Sequence, residues 1–222
     1  MGACGMLERG IVVHGQVLAQ TDRVMREADA WWRNGERGTM PRGGLVADRL
    51  VGHWTAGNPR TGPTSGRRVV SAMKARKKPN GDPLQVAIHF VIGWDGLIWQ
   101  TADLGIATVH VGNRRINACS VGVECCWPGT VENAKRLGCE VESVTIGQAR
   151  GVRVRCMTPS PELLEAWRWL SDALISAHHP AVVVPRQRGT MTKPGVMEHC
   201  DVVGTSKVDA AGLLVAAAGV IG

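Results

Sequence analysis

The sequence contains no tyrosine and only one phenylalanine, Phe90, so its aromatic residues are almost all tryptophans, of which there are eight. Any mechanism that needs a tyrosine hydroxyl is therefore excluded. The seven cysteines include no CxxC pair, which excludes zinc-ribbon and iron–sulfur sites of the usual ligand spacing. An odd number of cysteines in a chain too large to need covalent cross-links favours reduced thiols over a disulfide framework.

Long apolar segments are missing as well. Glu8 and Arg9 fall where a signal peptide requires a continuous apolar core, so we expect a protein without Sec-dependent export that is cytoplasmic when made. The apolar segment 210–221 is shorter than a membrane span and is interrupted by glycine. We therefore predict that no part of the chain crosses a membrane.

The charge of the chain is unbalanced, because 26 lysines and arginines outnumber 19 acidic residues and give a formal charge of +7. This excess favours an anionic partner, and charge alone leaves nucleic acid, a membrane surface and an acidic polymer open. Residues 58–80 hold a cluster of cations and no acidic residue. No helix-turn-helix, zinc-finger or aromatic RNA-binding pattern accompanies that cluster, so we predict no nucleic-acid partner.

The order of apolar segments and turns predicts a mixed α+β (α/β) fold, with a central mixed β-sheet flanked by helices. The glycine- and arginine-rich segment 34–44 is the best candidate for a boundary, between an N-terminal extension, 1–44, and a main domain, 45–222. The predicted elements are strands at 11–18, 49–54, 86–92, 97–100, 120–124 and 181–184, a two-stranded excursion within 128–158, and helices at 22–33, 160–179 and 208–218.

Polar side chains stand at the ends of apolar strands, where a scaffold commonly presents its functional groups. His53 ends the strand RLVGHW, Glu124 ends SVGVE, and His199 begins the segment HCDVVGTSKVD. Two imidazoles and a carboxylate are the ligand set of an open catalytic zinc site, in which a fourth position is left for water. Taken alone, histidines so far apart in sequence are more often structural residues than ligands.

Four segments, in this order, carry a resemblance to a known family. They are VGHWTAG (51–57), AIHFVIGWDGLIWQ (87–100), HVGNRRINACSVGVE (110–124) and H-x7-K-x-D (199–209). Together they resemble the type 2 family of zinc-dependent N-acetylmuramoyl-L-alanine amidases, which shares its fold with peptidoglycan recognition proteins. The resemblance extends over about residues 49 to 212, which is most of the chain.

The resemblance implies a Zn2+ ion held by three side chains, His53, His199 and Asp209. It also implies that Glu124 transfers the proton of the attacking water and that Lys207 assists at the carbonyl oxygen. Some relatives place a catalytic tyrosine at the position that Ile88 occupies here. Its absence leaves the catalytic roles to Glu124 and Lys207.

The resemblance also extends to residues that line the substrate groove of the family. His110 and Asn117 match positions that line the groove for glycan and stem peptide, so we expect them to contact substrate. Trp54 and Trp94 offer flat surfaces on which sugar rings can stack, although packing in the core or at its rim is the commoner role of a tryptophan. His89 is equally well explained as a buried structural histidine or as a residue that supports a ligand.

The function implied by the resemblance is cleavage of the amide between the lactyl group of N-acetylmuramic acid and L-alanine in peptidoglycan. The basic charge and the lack of a signal peptide favour a phage endolysin, released through a holin and suited to anionic envelope polymers. Two alternatives remain open: a cytosolic amidase that recycles anhydromuropeptides, and a non-catalytic peptidoglycan-binding module. We expect the protein to be a monomer.

Overall fold

The structure is a computed structural model that describes residues 8–19, 21–26, 31–58, 66–149, 151–202 and 210–217. Its strands are β1 (Glu8–Arg9), β2 (Ile11–Val13), β3 (Gln16–Ala19), β4 (Val24–Arg26), β5 (Thr39–Pro41), β6 (Arg49–Trp54), β7 (Phe90–Ile92), β8 (Ile98–Gln100), β9 (Ile106–Thr108), β10 (Ser120–Cys125), β11 (Val144–Ala149), β12 (Val152–Met157) and β13 (Gly195–Glu198). The helices are α1 (Gly66–Ala75), α2 (Arg114–Ala118), α3 (Val131–Arg136), α4 (Pro161–Ile175) and α5 (Leu213–Ala216).

A seven-stranded mixed sheet in the order β1-β4-β8-β7-β10-β6-β13 forms the centre of the molecule. Strands β7, β10, β6 and β13 run parallel to one another, whereas β7 and β8 form an antiparallel hairpin. Because the carboxyl ends of parallel strands meet at one edge, the side chains that end β6, β10 and β13 are brought together there. This mixed sheet flanked by helices confirms the predicted fold class.

The two faces of the sheet are covered by different elements. On one face, Leu50 and Val121 belong to the same buried cluster as Trp167 of α4. Gly52 allows α4 and α5 to pack closely on this face. A Cβ at residue 52 would lie 2.6 Å from the Cδ2 of Leu213 and 3.1 Å from the Cη2 of Trp167. On the other face, Val69 of α1 is buried in a cluster with Val91 and Trp99, and this second face also carries the candidate site.

The N-terminal segment differs from its prediction. A helix over 22–33 was wrong for the part that the structure describes, since Val24–Arg26 forms β4, parallel to β8. The physical reason is that pairing with the sheet buries Val24 completely, and such tertiary pairing overrides a weak helical spacing. Strands from both sides of residue 44 share the central sheet, and the boundary at that residue stays a prediction.

Most of the other predicted elements are present. The strands at 49–54 and 120–124, the hairpin through residues 93–97, the β11–β12 pair and α4 are all found. Ser160 caps α4 as predicted, because its Oγ accepts the N–H of Leu163 at 3.2 Å. The strand predicted over 86–92 is limited to β7, and helix 208–218 to α5 within the described residues.

The strand predicted at 181–184 was wrong. That segment makes only isolated bridges, one of them between Ala47 and Val182, and the outer strand beside β6 is β13 instead. The sequence GVME is short and follows a proline, so its composition alone gave little indication of a strand. In the described part of the chain, none of the helices has the length and apolar content required to cross a bilayer.

Candidate active site

Three of the predicted site residues meet at the carboxyl edge of the sheet. Glu124 on β10 stands in register with His53 on β6, and Glu198 on β13 stands in register with Gly52, so His199 follows at the level of His53. The rings of His53 and His199 have centroids 4.6 Å apart. Both histidines and Glu124 are buried, with exposed fractions of 3%, 5% and 9%.

These side chains form one wall of a cavity of about 470 Å3 between α1 and the sheet. Ile88 and Val86 add apolar surface, and Arg76, at the end of α1, places a cation on the wall. The lining residues are His53, Trp54, Thr55, Ala56, Met73, Arg76, Leu84, Val86, Ala87, Ile88, Val109, His110, Glu124 and His199. A concave apolar cavity with a few convergent polar groups is the usual form of a small-ligand site.

The structure separates the three residues predicted to contact substrate. Trp54 lines the cavity and packs edge-on against Trp127, with ring centroids 5.2 Å apart. His110 lines it too, but its Nδ1 lies 2.9 Å from the Nε2 of His53. Asn117 is buried and lies outside the cavity wall, where its Oδ1 accepts the backbone N–H groups of His110 and Val111, both at 3.0 Å. Its contact with substrate stays a prediction.

Two predicted site residues, Lys207 and Asp209, lie outside the described residues. Their roles as oxyanion donor and metal ligand stay predictions. Of the neighbouring cysteines, Cys125 and Cys126 are buried as predicted, and burial raises the pKa of the Cys126 thiol. Cys126 is therefore a small apolar core residue and not a nucleophile.

A comparison with known protein families identifies the family of the chain. A family model described as N-acetylmuramoyl-L-alanine amidase (Amidase_2) matches residues 43–211. The chain belongs to that family. The amidase therefore hydrolyses peptidoglycan amide bonds, and the predicted enzyme class is confirmed. A search of curated protein sequences finds no significant match.

Solved structures show the same fold. A selenomethionine derivative of AmpD has a TM-score of 0.54 and 17% identity, with 88% of the amidase and 96% of that chain covered. Wild-type PGRP-LB of Drosophila has a TM-score of 0.51 and 14% identity, over 86% and 89% of the two chains. The ectodomain complex of PGRP-LCa and PGRP-LCx, solved with tracheal cytotoxin bound, has a TM-score of 0.50 and 15% identity, over 85% and 89%.

An ionic network that no sequence motif revealed holds the turn that carries His199. The guanidinium of Arg188 lies 3.4 Å from Glu198 and 3.0 Å from Asp201, the residues on either side of the turn. Glu198, Cys200 and Asp201 also bring potential metal-ligand atoms within 4.8 Å of one another. Their carboxylates already accept hydrogen bonds from Arg188 and from backbone N–H groups, so this network fixes the turn.

His89 is a structural histidine behind the site. It is fully buried, and its Nδ1 accepts the backbone N–H of Gly122 at 3.1 Å. The ring proton therefore lies on Nε2, 3.0 Å from the carbonyl oxygen of Ile106. Burial, together with the nearby guanidinium of Arg42, lowers the pKa of His89 to about 3. The neutral ring stabilises the fold by hydrogen bonding two segments.

This depressed pKa predicts a pH-dependent stability. The unfolded chain protonates His89 near its ordinary pKa while the folded chain does not, so stability is complete at neutral pH and falls as the medium becomes acidic. Between about pH 4 and pH 6, His89 should make the unfolding free energy of the wild type rise by up to about 1.4 kcal/mol per pH unit. His89→Gln should lack this contribution to the slope. Urea titrations of both proteins across that range measure the slopes. His178→Asn, at an exposed histidine, is the control, and an unchanged slope in His89→Gln would contradict the assignment.

Proposed function

We propose that the amidase cleaves the bond between the lactyl carbonyl of N-acetylmuramic acid and L-alanine, with a zinc ion held by His53, His199 and Asp209. The observation that supports this proposal is the meeting of two buried imidazoles, 4.6 Å apart at their centroids, beside Glu124 on a cavity wall. Asp209 completes the ligand set in the family pattern.

The donor chemistry of the described residues fits zinc. Imidazole nitrogens are preferred zinc ligands, and two of them with one carboxylate leave a fourth position open. The Nε2 of His53 is hydrogen-bonded to His110, and metal-binding histidines usually have their second ring nitrogen hydrogen-bonded in this way. When bound, zinc lowers the pKa of a water molecule towards neutrality and polarises the amide carbonyl.

The other residues transfer the proton and stabilise the negative charge that develops during the reaction. Glu124, at the end of β10, accepts the proton of the attacking water and returns it to the departing alanine nitrogen. Lys207 donates to the oxyanion that forms at the lactyl carbonyl. Trp54 gives the cavity an aromatic wall against which a sugar ring can lie.

We further propose that the substrate is the polymeric cell wall and that the enzyme acts in phage-type lysis. The formal charge of +7 supports this choice, because a cationic enzyme is attracted to an envelope rich in phosphate polymers. A soluble muropeptide substrate, as in recycling, requires no such charge.

Two assays on the same preparation test these proposals. The loss of turbidity of purified sacculi reports polymer cleavage, and mass spectrometry of the products identifies the bond. We expect clearance of sacculi, new L-alanine amino termini, loss of both on chelation and recovery with Zn2+. Release of peptide from soluble muropeptide without clearance at saturating enzyme would contradict the lysis proposal and favour recycling. Binding of sacculi without any released amino termini would contradict catalysis.

A further inference from the structure

A chain of hydrogen bonds, here called the relay, runs from His53 through His110 and Ser120 to α2. The Nε2 of His53 lies 2.9 Å from the Nδ1 of His110. The other nitrogen of His110, Nε2, lies 3.0 Å from the Oγ of Ser120. Ser120 in turn lies 2.6 Å from the carbonyl oxygen of Ile116 in α2. These contacts connect His53 to a backbone carbonyl through two side chains.

The direction of each hydrogen bond follows from the fixed end of this chain. A carbonyl oxygen can only accept, so the single hydroxyl proton of Ser120 is donated to Ile116. The Oγ of Ser120 must then accept from the Nε2–H of His110. The two ring partners of His110 are an imidazole and a hydroxyl group, so its buried ring is neutral and its single proton lies on Nε2. Its Nδ1 therefore carries a lone pair and accepts from the Nε2–H of His53.

From this geometry we infer that His110 and Ser120 are positioning residues for the metal, because they fix the tautomer of His53 that leaves the Nδ1 lone pair for zinc. The inference rests on the proposed zinc site. It assigns His110 a role other than contact with substrate, and it assigns Ser120 a role that no sequence motif indicated. A ligand whose second nitrogen is held in this way is oriented before the metal arrives.

The surroundings of His110 hold its ring in place for this role. Its backbone N–H is bound by Asn117 of α2, at 3.0 Å. Its ring packs against Gly122, where a Cβ would come within 2.8 Å of the ring Nδ1 and Cγ. A larger residue at that position would press on this ring and on Ile88, whose Cδ1 lies 2.6 Å from such a Cβ, so glycine there leaves room for the relay.

The test compares Ser120→Ala with Ser171→Ala. Ser171 is also a completely buried serine, and its Oγ has no hydrogen-bond partner in the described structure, so its loss serves as the matched control. We expect Ser120→Ala to weaken zinc binding about ten- to hundredfold, measured by competition with a chelating dye, and Ser171→Ala to leave it unchanged. Thermal unfolding of the metal-free proteins separates this effect from a loss of fold.

A second measurement does not depend on the metal. Long-range 1H–15N spectra of the metal-free wild type should show His53 protonated at Nε2 and His110 protonated at Nε2, and Ser120→Ala should show a mixture of His110 tautomers. Two substitutions of His110 add a further comparison. His110→Gln provides an amide oxygen that can accept the Nε2–H of His53, so it should retain part of the zinc affinity, whereas His110→Leu provides no acceptor and should lose that affinity.

The outcomes separate the relay from the proposed function. His53 protonated at Nδ1 in the wild type, or equal zinc affinity in Ser120→Ala and wild type, would overturn the relay while leaving the zinc amidase in place. A wild type that shows the predicted tautomers but binds no zinc would instead contradict the proposed function, and with it the purpose that we assign to the relay.

Discussion

Glu124→Gln is expected to lower the turnover of the amidase by about a hundredfold or more while zinc binding and folding are retained. The amide of glutamine has nearly the shape of the carboxylate but cannot accept the proton of the attacking water at neutral pH. The position is suited to this test, because Glu124 lies on the cavity wall and pairs in register with His53. Peptide release from sacculi and zinc content after dialysis are the two measurements.

Glu132→Gln is the matched control, because Glu132 is an exposed glutamate in the first turn of α3. It should leave both measurements at the wild-type value. Full activity in Glu124→Gln would remove Glu124 from the mechanism and leave Lys207 as the remaining candidate for proton transfer. Lost zinc in that variant would show instead that Glu124 supports the metal.

The absence of tyrosine affects one wall of the cavity. The residue at the position where some relatives carry a tyrosine is Ile88, which is buried and lines the cavity. This wall therefore offers apolar contact and no hydroxyl group. The proton and charge transfers of the reaction must come from other walls, which agrees with the roles that we propose for Glu124 and Lys207.

The proximity of His53 and Glu124 could be predicted from the sequence because both residues stand near strand ends. His53 and Glu124 close apolar segments that could only be buried strands, and a parallel pair of such strands brings their last residues together. The hairpin at Asp95 and Gly96 was equally accessible, because an Asp-Gly turn between apolar segments has few alternatives.

The rest depended on long-range contacts that have no local pattern. The strand Val24–Arg26 gains its stability from β8, more than seventy positions later in the chain, so its own residues favoured a helix. Arg188 and Ser120 were missed for the same reason, because an arginine or a serine acquires its role only from the partners that the fold supplies. Asn117 belongs to this class too, since its observed partners are backbone N–H groups.

His53→Ala is expected to remove zinc and activity together. The substitution takes away one of the two imidazoles that lie 4.6 Å apart and leaves the relay from His110 without its last member. Bound zinc should fall from about one equivalent to less than about a tenth after dialysis, and turnover should fall to background, because an incomplete ligand set cannot retain the metal. Atomic absorption and peptide release measure the two quantities.

The control for this experiment is His178→Asn, at an exposed histidine that does not line the cavity, where asparagine tolerates the left-handed backbone with φ of 31°. It should keep both zinc and activity.

A His53→Ala protein that still binds one equivalent of zinc would place the metal elsewhere. The group formed by Glu198, Cys200 and Asp201 would then be the next candidate, and Arg188→Ala, which removes the competing cation from both carboxylates, should in that case strengthen zinc binding. If His53 is a ligand, the same Arg188→Ala variant should weaken binding, because the turn that carries His199 loses its ionic anchor.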